Sequence, residues 1–209
     1  AVYGVQIGGR GAEDNIVIGN FIGTNATGQA PLGNREGVAI GYFATHNRIG
    51  GRAPGEANLI SGNSGEGVNI MEVGTHDNWV LGNLVGTDVN GTADLGNGAT
   101  GIAIQLGASG NAIAWNVSSG NGENGIQSSD WGSDYNTIVG NLVGTDASGT
   151  APLGNDWSGV GIGMWGSSNR VGGTGPDERN VISGNGAAGV NLYSMGGVGN
   201  LIVGNTIGT

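Results

Sequence analysis

The chain has 209 residues with 48 Gly and 25 Asn, and it sets sixteen acidic residues against six Arg and no Lys, for a formal net charge of −10. That balance offers no basic patch to nucleic acid or anionic membrane surfaces, and no apolar stretch approaches the roughly 20 residues of a membrane span. Gly and Asn at this density disfavour long helices, four Pro without a three-residue Gly period exclude collagen, and the absence of Cys excludes disulfides and thiolate chemistry.

In chain order, a Gly-apolar-x-apolar element opens at Gly4-Val5-Gln6-Ile7 and returns at Gly37, Gly67, Gly101, Gly125, Gly159 and Gly189. Ten or eleven residues after each of these comes an Asn: Asn15, Asn47, Asn78, Asn111, Asn136, Asn169 and Asn200. A second Asn column follows at Asn20, Asn58, Asn83, Asn116, Asn141, Asn180 and Asn205, and a third at Asn34, Asn63, Asn97, Asn121, Asn155 and Asn185. The shortest unit, 101–124, resolves into three short alternating segments bounded by Gly and Asn, which predict three strands per unit. Each strand's look-alike lies a whole unit away, so stacking like on like gives three parallel sheets wound into a solenoid of about seven coils. Parallel crossovers are overwhelmingly right-handed, so a right-handed coil is expected.

The alternation places one column of β-branched residues inward from each sheet: Val5 to Val190 and Ile7 to Leu192 in the first, Val17 to Ile202 in the second, Ile22 to Ile207 in the third. Ser118 and Ser128 interrupt two of these columns. The Asn columns fall at turns, where Asn tolerates left-handed backbone and its amide can bond the next coil's Asn. Units one, three and five carry a loop after the third strand (24–33, 87–96, 145–154), and units two and six carry one between the second and third strands (52–57, 174–179).

The segments GIAIQLGASGNAIAWN and NVISGN, with the recurrent NxIxGNxIGT and GTAPLGN, resemble the parallel β-helix repeat of the pectin-lyase-like superfamily. The resemblance covers the whole chain and implies an all-β, right-handed parallel β-helix in one domain, 1–209. For activity it implies a range: polysaccharide lyases, hydrolases and epimerases, phage tailspikes and non-catalytic surface proteins.

A calcium-dependent lyase of that kind would show carboxylates clustered on one sheet with an Arg or Lys as base. No Asp column occupies the outward strand positions, and no EF-hand ligand run is present. Asp88 and Asp146 occupy equivalent loop positions whose third copy is Asn25, a pattern that predicts Asx turns rather than calcium. Aligning the turn before the first Asn column brings Glu13, Asp14, His46, His76 and Asp77 to one corner; this set could hold a divalent metal, or form a solvated turn rim. Trp115, Trp131 and Tyr135, beside Asp130 and Asp134, could stack on a sugar ring, or fill space under loops. Asp130, Asp134 and His76 are the candidates for acid–base chemistry. Arg48 and Trp79, in register, are expected to form a cation–π pair. Thr24, Thr87, Thr145 and Thr209 recur every second coil, too sparsely for an ice-binding array.

These features predict a structural segment of an extracellular or cell-surface protein: a rod, an adhesin stalk or a filament subunit. The alternatives are a carbohydrate-active domain or a glycan-binding module. No cofactor is expected; calcium is an option that no motif supports. Asn200–Thr209 repeats the pattern of Asn15–Thr24, so the chain is expected to be an excerpt of a longer β-helix or to stack end to end with a copy of itself. Polysaccharide is the other expected partner, with no nucleic acid and no membrane insertion.

Overall fold

The computed structural model describes residues 1–193, 195 and 197–208. Its 21 strands form three seven-stranded sheets, each assembled from every third strand of the chain and paired in parallel. Three strands thus make one coil, and seven coils stack as a parallel β-helix. At about 4.8 Å per coil the rod is roughly 34 Å long.

The register follows the sequence period. Val5, Val38, Val68, Ile102, Ile126, Val160 and Val190 pair in succession in the first sheet. Val17, Ile49, Val80, Ile113, Ile138, Val171 and Ile202 do so in the second. Ile22, Ile60, Val85, Ser118, Val143, Ile182 and Ile207 do so in the third. In coils two to six these side chains are sealed from solvent and form one continuous core. In coil seven the expected burial is not reached: Leu192, Ile202 and Ile207 are 52%, 38% and 46% exposed, because no described coil lies over them.

Three asparagine ladders hold the corners. In the column between the second and third sheets, Asn20 donates to Asn58, Asn58 to Asn83, Asn83 to Asn116, Asn116 to Asn141, Asn141 to Asn180 and Asn180 to Asn205, each Nδ2 to Oδ1 at 2.8–3.1 Å. The same Nδ2 groups also reach backbone carbonyls, as Asn116 does at Val80 (2.9 Å) and Ala114 (3.1 Å). Buried amides with this many partners carry no desolvation deficit, which is why so polar a chain can wind tightly around an apolar core.

The inserts pack in two sets. Loops 24–33, 87–96 and 145–154 stack on one another, Val89 N donating to Gly28 O (3.1 Å) and Ala147 N to Gly91 O (2.8 Å). Gly91 is required there, since a Cβ would meet that of Ala147 at 2.5 Å. The stack covers the outer face of the third sheet and leaves its outward Leu59 only 2% exposed. Asp88 accepts from Thr92 N and Ala93 N, Asp146 from Thr150 N and Ala151 N, and Asn25 from Gln29 N and Ala30 N. All three shape their own loops. Thr24, Thr87 and Thr145 each form an isolated bridge across the loop base; Thr209 lies outside the described residues.

Candidate functional site

The corner between the first and second sheets holds Glu13, Thr45, His76 and Ser109 in one bridged column. The next column, Asp14, His46, Asp77, Gly110, Tyr135, Ser168 and Gly199, has positive φ throughout, 54° to 75°. This is the left-handed step that precedes each ladder Asn, so Asp and His are favoured there by backbone conformation. His76 Nδ1 lies 2.8 Å from Asp77 Oδ2, and the His46 ring sits edge-on to His76 at 6.2 Å and tilted to Trp79 at 6.1 Å. Glu13, Asp14, His46, His76 and Asp77 therefore share an edge, but no three His, Asp or Glu among the described residues converge on a point that could hold a metal.

The acid–base candidates have structural partners. Asp130 Oδ2 accepts from Leu106 N (3.1 Å) and Asp134 Oδ1 from Ser167 N (2.7 Å), each fastening its turn to a neighbouring coil. The aromatic trio is split. Trp131 and Tyr135 stand free at this corner, 76% and 70% exposed, whereas Trp115 lies at a different turn, between the second and third sheets. There its Nε1 donates to Asp177 O (3.1 Å) and its ring receives Arg52 at 4.6 Å, under the inserts of coils two and six. The expected Arg48–Trp79 pair does not form; Arg48 turns to Glu56 (3.1 Å), as Arg170 does to Glu178 (3.0 Å).

A concavity lies on the outer face of the first sheet. Val160 and Ile162 point inward in coil six, which leaves Gly161 and Gly163 outward with no side chains. Their partners in coil seven are Asn191 and Tyr193. Tyr193 lies over this bare strip: a Cβ on Gly163 would fall 2.6 Å from its ring, and one on Gly161 3.2 Å from it. The chain entering the sheet stacks Glu123, Trp157 and Ala187 on adjacent coils through Trp157 N to Glu123 O (3.0 Å) and Ala187 N to Trp157 O (2.8 Å). Met164 also lines the concavity.

The result is a groove of about 400 Å³ lined by Glu123, Asn124, Gln127, Trp157, Tyr193 and Asn191, among others. Its polar wall is pre-arranged. Asn124 Nδ2 donates to Gln127 Oε1 (2.8 Å) and Gln127 Nε2 donates to Ser129 Oγ (2.8 Å). Thr100 Oγ1 holds Glu123 Oε2 at 3.2 Å. Burial pushes the Tyr193 phenol above its ordinary range, and the charges of Asp130 and Glu123 push it further, so it stays a neutral donor and acceptor. Trp157 is 54% exposed, an aromatic face presented to solvent beside a row of amides.

None of the groove's aromatics was among the sequence candidates. The available signal was the pair of outward glycines at 161 and 163, which shows only when coil six is read against Tyr193 of coil seven.

No family model matches the sequence, and no curated protein matches it. Among solved structures, a double mutant of the periplasmic alginate epimerase AlgG superposes on 98% of this chain with a TM-score of 0.51 and 15% sequence identity. The match takes in 36% of that protein, so the chain spans about a third of its neighbour's length. The likeness shows a shared fold, the parallel β-helix expected from the repeat.

Proposed function

We propose that this chain is a β-helical rod of an extracytoplasmic protein that binds glycan in the groove on its first sheet. The observation that carries the reading is the pairing of Trp157 and Tyr193 with the amides of Asn124, Gln127 and Asn191 in one concave strip. An aromatic face packs against the C–H face of a sugar while amides and a carboxylate bond its hydroxyls. The lining holds a single carboxylate, Glu123, whereas hydrolysis of a glycosidic bond ordinarily uses two facing across the bond. Binding is therefore favoured over turnover. The periplasmic setting named for AlgG agrees with the extracytoplasmic part of this reading.

The test is calorimetry of the purified chain against a panel of oligosaccharides, with product analysis in parallel. Saturable binding that Trp157→Ala weakens about tenfold, with no product formed, supports the proposal. Turnover abolished by Glu123→Gln would replace binding with catalysis.

A further inference from the structure

The charges around the groove bear on which glycans it accepts. The chain has no Lys, and none of its six Arg lines the groove. Arg10 covers the Phe43 ring at 4.5 Å, Arg48 and Arg170 pair with Glu56 and Glu178, Arg52 is engaged with Asp177, and Arg179 reaches Thr206 Oγ1. Arg35 shares the column of Glu123 but sits three coils away, linked through Gly65 and Ala99, roughly 14 Å along the rod.

Among the lining residues the only full charge is the carboxylate of Glu123, and the charge of Asp130 also acts on Tyr193. A polyuronate brings one carboxylate per sugar. Each would enter a partly desolvated strip with no cation to meet it and with a like charge already present. An uncharged sugar meets no such barrier. Its hydroxyls donate to Glu123 and exchange hydrogen bonds with Gln127 and Asn191, and its apolar face lies on Trp157.

We propose that the groove takes an uncharged polysaccharide and excludes polyuronates, a specificity that rests on the glycan-binding reading above. The exclusion is electrostatic, so it is strongest at low ionic strength, where like charges are least screened.

The experiment is calorimetry of the 209-residue chain at low and at high salt. The probes are neutral hexasaccharides of β-linked glucose, mannose and xylose, set against hexamers of galacturonate and mannuronate. At least one neutral probe is expected to bind with an affinity that salt leaves unchanged, and the uronates at least tenfold more weakly. In Glu123→Lys, uronate binding is expected to rise at low salt, with an unchanged melting temperature showing that the fold is intact. Uronate affinity equal to or above that of every neutral probe overturns the specificity and leaves the glycan-binding reading standing. Silence from all probes overturns both.

Discussion

Arg52 in the second coil and Asp177 in the sixth stand 3.4 Å apart, although four coils separate their strands. The two inserts lean toward each other over the coils between them and meet at Trp115, whose indole bonds Asp177 O while Arg52 covers its ring. Both charged partners are more than half exposed, so the ion pair itself contributes little, and the indole is the anchor. Trp115→Ala removes a cation–π contact and a hydrogen bond, together about 1–2 kcal/mol. A Tm lower by roughly 3–6 °C is expected, with glycan binding unchanged because Trp115 lies on another face. Lost binding in a well-folded variant would put Trp115 back among the ligand contacts.

The middle of an asparagine ladder should be its most sensitive part. Asn116 accepts from Asn83 Nδ2 at 3.0 Å and donates to Asn141, Val80 and Ala114, all out of reach of water. Asn116→Leu leaves several of those groups unpaired at about 1–3 kcal/mol each. Urea titration should show a loss of at least about 3 kcal/mol, against a much smaller loss for Asn20→Leu at the exposed first rung. Equal losses at both positions would mean that the ladder's hydrogen bonds add little net stability.

The two serines that interrupt the core are not equivalent. Ser118 Oγ donates to Gly125 O (2.7 Å), yet that carbonyl also receives Ile102 N, and Val85 and Val143 fill the same position in the neighbouring coils. Ser118→Val therefore exchanges one hydrogen bond for buried methyl groups, and a stability change within about 1 kcal/mol of zero is expected. Ser128 Oγ accepts Asn136 Nδ2 (3.3 Å), an amide drawn away from its own ladder. Ser128→Val removes one of that amide's two acceptors, the other being Ala108 O (3.2 Å), and should cost more. Thermal melts of the two variants side by side decide the matter.

Glu36 gives the chain a pH signature. Its carboxyl is held above the ordinary value of 4.5 chiefly by burial, with Glu66 adding to the effect and the Asn69 amide and Arg35 opposing it. The folded protein thus binds this proton more tightly than the unfolded chain. Ionised Glu36 weakens the fold at neutral pH, and the penalty disappears below pH 4.5, where both states are protonated. Glu36→Gln keeps an acceptor for Asn69 and should raise Tm at pH 7, with the gain vanishing in acid. The opposite sign applies to Glu56, lowered first by Arg48, and to Glu178, lowered first by the Gly175 N–H. Their stabilisation is complete above pH 4.5 and is lost as pH falls through their lowered values. A pH series of melting curves on both proteins reads the two effects separately.

The coil plan could be read from the chain because every strand packs on its own look-alike, so a fixed period carries both the register and the inward columns. Asn47, Asn78 and Asn111 recur as they do because each occupies the same corner and bonds the next. The groove has no such repeat behind it. Trp157 comes just before the coil-six strand, Gly161 and Gly163 lie within it, and Tyr193 stands thirty residues after Gly163, so the strip exists only across coils and only once. Trp115 is near Trp131 and Tyr135 in sequence, but the path from one sheet to the next carries it to another corner. The corner around His76 is legible as a place, because Asp14, His46 and Asp77 recur at the left-handed step before each ladder Asn, with Glu13 and His76 in the bridged column beside them.

Along the ladders, apart from Asn136 and Asn169, a side-chain N–H reaches the later coil's Asn and the oxygen faces the earlier one. These amide dipoles therefore add along the axis, as peptide dipoles do in an α-helix. The rod acquires a vector: a partly negative face where Asn15, Asn20 and Asn34 turn their oxygens outward, and a partly positive one at the opposite extremity. Such a particle aligns in an electric field with a preferred sense, so transient birefringence would detect an orientation that net charge alone does not produce.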